Sequence, residues 1–236
     1  MSLPRIASAA PLLAACLLLP SLATAGSGMQ FSLGTSLKST TWSGENPGSG
    51  GRFEAQAPML SLEARLQRGR WFGGLTLSGG EFEFADTSPA RPTGPALPAT
   101  QSVTVSRGET DLVAGYRIRE RIALFADIKS VANTWSDNYK MEYSGLGIGI
   151  SGFLPLGSRW LIFGNLGFVS MDIKVQRSSI GNAKRSALNM GVSYRIADAF
   201  NVSLAINSQS QINTYRDGSE QTHELGSLAL GINATF

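Results

Sequence analysis

The stretch Ser227-Leu228-Ala229-Leu230-Gly231-Ile232-Asn233-Ala234-Thr235-Phe236 alternates without a break. Leu228, Leu230, Ile232, Ala234 and Phe236 fall on one face, and Ser227, Ala229, Gly231, Asn233 and Thr235 on the other. A period of two is the period of a β-strand. Alternation alone does not say which face is buried. A soluble sandwich turns its apolar face inward, whereas a membrane barrel turns that face to lipid and lines its lumen with the polar one.

Working back from this strand, the same period recurs in ten segments, each near the nine to eleven residues that cross a bilayer when tilted. They are Met29–Thr41, Glu54–Leu66, Trp71–Phe82, Val103–Ile118, Ile122–Thr134, Tyr139–Leu154, Trp160–Val175, Arg185–Ile196, Phe200–Tyr215 and Gln221–Phe236. Connectors alternate in length. Tight turns such as Gln67–Arg70, Arg119–Arg121, Pro155–Arg159 and Ala197–Ala199 fall on one side, with longer stretches on the other. The longest, Glu83–Ser102, carries Pro89, Pro92, Pro95 and Pro98, which cannot donate to a sheet ladder. Trp42–Phe53 is a Gly-rich connector, and the residues after Val175 form a basic one. The fold expected is all-β, one antiparallel up-and-down transmembrane barrel of ten strands, or eight if two weak segments merge into loops.

The N-terminus reads as a cleavable secretory signal over residues 1–25, leaving 26–236 as a single barrel domain. Arg5 precedes an apolar run from Ile6 to Leu19, and Ala23-Thr24-Ala25 supplies the small-residue cleavage site. Leu13-Ala14-Ala15-Cys16 also fits a lipoprotein lipobox, with Cys16 lipidated, but it would leave Leu17-Leu18-Leu19 at the new N-terminus. Cleavage after Ala25 removes the only cysteine, and with it any thiol or disulfide chemistry. Beyond this segment no run of about eighteen apolar residues predicts a spanning helix. The net charge of +3 is scattered, so no nucleic-acid surface is implied.

With a signal segment, alternating strands and a last strand ending on Phe236, the chain resembles the bacterial outer-membrane β-barrel proteins. That resemblance implies a Gram-negative outer-membrane location among lipid and lipopolysaccharide. It also implies assembly by the barrel-assembly machinery, with periplasmic chaperones, through a signal that includes Phe236. Aromatic girdles are expected at both interfaces: Trp71, Tyr116, Trp160, Tyr194, Phe200 and Phe236 at the turn side, and Trp42, Phe82, Phe84, Trp135, Tyr139 and Tyr215 at the other.

Parity places Lys38, Glu63, Arg65, Glu109, Asp111, Arg117, Asp127, Lys129 and Arg195 in the lumen. The expectation is a non-enzymatic barrel with a structural, binding or limited small-solute pore role, its narrow bore holding a paired, hydrated charge network that a conducting pore would share. No cofactor or metal-ligand cluster is expected. The alternative function is an outer-membrane hydrolase, similar to the lipid A deacylases or the omptin proteases, with His223 at the outer rim. Ser227 follows His223 at about 13 Å along an extended strand, too far to bond it, whereas Asp217, Glu220 and Asp137 are rim carboxylates able to form a His-carboxylate pair. Strands of these lengths leave no tall extension above the membrane, which weighs against the omptin form. Lys174, Arg177, Lys184 and Arg185 read as one basic loop facing lipopolysaccharide phosphates.

Overall fold

A computed structural model describes residues 28–48, 50–85, 87–92 and 102–236. The expected signal segment, with Cys16, Ala23 and Ala25, lies outside the described residues. The ten strands are β1 (Met29–Glu45), β2 (Arg52–Arg68), β3 (Trp71–Phe84), β4 (Val103–Arg119), β5 (Ile122–Trp135), β6 (Lys140–Leu156), β7 (Trp160–Val175), β8 (Ser178–Ala197), β9 (Phe200–Tyr215) and β10 (Glu220–Thr235). Each pairs antiparallel with its sequence neighbours, and β10 returns to β1 to close the barrel. Ten strands hold, and the eight-strand version does not. At the seam Phe31 and Phe236 exchange backbone hydrogen bonds of 3.2 and 2.8 Å while their rings stack 6.4 Å apart. The terminal aromatic therefore locks the last strand to the first.

Two boundaries differ from the sequence reading. β1 and β2 continue through most of Trp42–Phe53, β1 running to Glu45 and β2 starting at Arg52. β8 begins at Ser178, directly after a two-residue turn in which Gln176 and Arg177 both have positive φ, at 50° and 70°. Paired positive φ is the geometry that matches strand twist in a tight hairpin. The basic loop is thus not a loop: Lys184 and Arg185 stand on a strand, pointing out and in respectively.

The strands, 14 to 20 residues long, are longer than a bilayer requires. Along the strands the outer face turns from apolar to polar partway up, and on β2, β3 and β4 the inner face changes in the opposite sense. On β10 the outward side chains run Ile232, Leu230, Leu228 and then Glu224 and Glu220, while the inward ones run Asn233, Ala229, Ser227, Leu225, His223 and Gln221. On β2 the outward series is Leu66, Leu62, Leu60, then Gln56 and Glu54, and the inward series Arg65, Glu63, Ser61, then Met59 and Phe53. β3 repeats this, with Leu75 and Leu77 outside below Glu81 and Glu83, and Thr76 and Ser78 inside below Phe82 and Phe84.

The lower half, at the tight-turn end, is therefore built as a membrane barrel and the upper half as a water-soluble one. The apolar outward positions, Leu146–Leu154 on β6 for example, span about nine residues, the height of a hydrocarbon layer crossed by tilted strands. The strands do project beyond the belt, contrary to the expectation drawn from their apparent length. Trp71, 65% exposed, and Trp160 rim the belt at the turn end, paired with Tyr116 and Tyr194 at 4.9 and 4.7 Å between ring centroids.

The expected upper girdle does not form. Trp42, Phe82, Phe84, Trp135 and Tyr215 are buried inside, and Tyr139 packs on Trp135. Their parity is that of the lumen, and above the belt the lumen is where an aromatic ring escapes water.

The belt can be tested by charge insertion. Ile148→Arg, at a site 69% exposed on the lipid face, is expected to cost about 2–4 kcal/mol of folding stability in vesicles. Asn182→Arg, outward but above the belt, should change it by less than about 0.5 kcal/mol. Equal costs would refute the placement of the membrane edge.

Candidate functional site in the barrel lumen

The lumen is layered. At the loop end Trp42 is fully buried and meets Phe82 and Phe84 edge-on at 5.2 and 5.4 Å, with Phe53 at 6.4 Å. Val105, Val131, Met141, Tyr143 and Ile173 complete this plug. Edge-to-face rings at these distances add to the stabilisation from burial alone. Part of the β3–β4 connection lies over it: Asn46 donates to the Ser88 carbonyl at 2.9 Å and accepts from the Ala90 amide at 2.7 Å, and Pro89 is buried. Arg91 forms an ion pair with Asp137 and stacks over Tyr139. The Arg91 hydrogen bond holds the Asp137 carboxyl below its ordinary range.

His223 belongs to the plug, not to the rim. It is 2% exposed, its Nδ1 accepts from the Trp42 indole N–H at 3.1 Å, and its Nε2 lies 2.9 Å from the Asn213 amide. Both ring nitrogens are thus engaged by neutral groups. Asp217 is exposed in the β9–β10 turn and its carboxylate accepts from Ser219, while Glu220 accepts from Thr214. Ser227 accepts from Asn207. The residues named for the hydrolase alternative are therefore not brought together, and His223 is a satisfied core histidine.

Beneath the plug comes a charge layer. Glu109 accepts from Arg107 at 2.7 Å and from Arg185 at 3.2 Å, Arg107 also donates to Asn133 at 3.0 Å, and its guanidinium covers Trp42 at 5.0 Å. Lys129 pairs with Asp111, and Asp127 lies buried nearby on β5. Arg107 and Arg185, both buried, were missed by sequence reading. Arg107 shares the inward parity of Glu109, whereas Arg185 was lost with the misplaced start of β8.

Below this layer the bore opens. A cavity of about 550 Å³ reaches the turn end and is lined by Lys38, Glu63, Arg65 and Arg117 among the expected charges. Glu63 accepts from Arg65 at 2.8 Å and Arg117 donates to Gln67 at 2.6 Å. Arg195 is exposed at the turn-end rim. Three phenylalanines lie flat on the wall here. Phe72, Phe125 and Phe163 each cover the inward glycine of the next strand, at Gly115, Gly149 and Gly191, where a Cβ would stand 2.1, 2.2 and 2.5 Å from the ring. Next to Phe163 on β8 and β9 Asn189 and Asn207 are bonded to each other, and Asn233 donates to Asn201 at 3.3 Å.

Two substitutions probe the layers. Glu109→Gln leaves two buried guanidinium groups without their anion and is expected to destabilise the barrel by about 3–5 kcal/mol, with part recovered when Arg185→Met is added. His223→Ala should cost about 3 kcal/mol, since it opens a cavity and strands the Trp42 N–H. Urea unfolding in lipid vesicles reads both, and an unchanged midpoint for either would contradict the packing described.

No family model and no curated protein matches the chain. Among solved structures it is similar to the outer-membrane protease OmpT of Escherichia coli, at 10% identity and a TM-score of 0.48 over 88% of this chain and 96% of that one. An outer-membrane channel from Pseudomonas putida F1 aligns at 11% identity and 0.46, covering 90% and 97%. The β domain of the Bordetella autotransporter BrkA aligns at 11% and 0.45, covering 89% and 100%. Identities this low transfer neither an activity nor a ligand. It is the chain's own geometry, a closed ten-stranded up-and-down barrel with an apolar belt above an aromatic rim, that gives it the architecture of a bacterial outer-membrane β-barrel.

Proposed function

We propose that this protein is an integral outer-membrane barrel that does not conduct, closed toward the cell surface and open toward the periplasm as a binding vestibule. Short turns and both chain ends mark the periplasmic side of such barrels, so the cavity at the turn end faces the periplasm. The observation that carries the reading is the plug around Trp42, Phe82 and Phe84, which fills the bore where a pore would need an aqueous path. The Arg107–Glu109–Arg185 layer seals beneath it. Outward-facing Lys184 stands beside Ser170 and Ser186 at the upper edge of the belt, suited to a lipopolysaccharide phosphate. Phe236, at the closure seam, suits recognition by the assembly machinery.

Purified protein in planar bilayers should give no conductance steps. A cysteine at Ser203 in the vestibule should react with a membrane-impermeant thiol reagent only from the turn side. Discrete steps from the wild-type chain, or labelling from the loop side, would establish a pore instead.

A further inference from the structure

We propose that the turn-end vestibule is a binding site for an acidic saccharide, an inference that rests on the reading of the lumen as a closed vestibule. The first observation is the flat aromatic wall. Because the inward glycines Gly115, Gly149 and Gly191 leave no side chain beneath them, Phe72, Phe125 and Phe163 fold down on the backbone. Phe72 and Phe163 line the cavity, and Phe125 lines the space just above it. Flattened rings present faces instead of edges, the arrangement that stacks against a planar or chair-shaped ring with its apolar C–H groups.

The second observation is the adjoining arc from β7 round to β1, where amides and hydroxyls dominate. Such groups both donate and accept, as sugar hydroxyls do, whereas a carboxylate only accepts. Asn189 Oδ1 is buried and accepts no hydrogen bond from the protein, and Asn165 lines the same cavity beside it. Buried polar atoms of this kind are normally satisfied, so an incoming donor is favoured there.

The third observation is charge. The cavity lining holds three cations, Lys38, Arg65 and Arg117, against one carboxylate, Glu63, which Arg65 already engages. Lys38 forms no ion pair with any described residue. A site with an excess of cations, stacking faces and mixed donor-acceptor amides fits a sugar ring bearing a carboxylate. About 550 Å³ lies within the range of about 300–1,000 Å³ usual for small-molecule sites.

The test is ligand-observed saturation-transfer NMR and calorimetry on the full barrel in detergent, with three probes. N-acetylmuramic acid carries ring and carboxylate, N-acetylglucosamine the ring alone, and lactate the carboxylate alone. N-acetylmuramic acid should bind at least about tenfold more tightly than either of the others, a margin of about 1.4 kcal/mol. Phe163→Leu, which keeps an apolar cover on Gly191 but removes the flat face, and Lys38→Met should each weaken it about tenfold, with folding checked by heat-modifiable migration. Lactate binding as well as the acidic sugar would leave a simple anion well, and equal binding of N-acetylglucosamine would remove the role of charge. Absence of binding by all three would overturn the site while leaving the closed barrel, judged by conductance, untouched.

Discussion

Backbone amides in a hydrocarbon layer have no water to bond, so every strand must be paired on both edges, and only closure of β10 onto β1 achieves that here. The rest of the molecule answers to this constraint. A closed barrel fixes an inside and an outside for each residue, and the strands then have to satisfy two different solvents along their length. Within lipid the outside must be apolar and the inside is free to be polar. Above the lipid the demands exchange.

That exchange explains why a single chain carries what are in effect two cores. The lower one is turned outward, Leu146, Ile148 and Phe168 meeting acyl chains, and the upper one is the plug around Trp42. Between them lies the Arg107–Glu109–Arg185 layer, covered from the loop end by the plug. Buried charges persist there because each guanidinium meets the same carboxylate, and Arg107 also finds Asn133 and the face of Trp42. His223 has the same logic in neutral form, its ring nitrogens occupied by an indole and an amide.

Function follows from where the packing stops. The plug is dense because large aromatic side chains enter from β1, β2 and β3, and the vestibule is open because its phenylalanines lie on glycines against the wall instead of pointing to the axis. The same residue type thus closes one end and lines the other, with the backbone under it deciding which.

Much of this architecture was legible in the residues. Period-two alternation located ten strands and the tight turns, Trp71 and Trp160 marked the turn-end rim, and parity put Glu109, Asp111 and Lys129 on the inward face. What alternation could not carry was height. A strand with apolar residues outside and one with apolar residues inside have the same period, so Trp42 and Phe82 read as a girdle and His223 as a rim residue. Only pairing in register across ten strands shows at which level lipid gives way to water, and that level decides whether an inward aromatic is a plug. The amino-acid order determined a barrel and its faces; the tertiary structure decided which end is sealed, because solvent, not sequence period, changes along the strand.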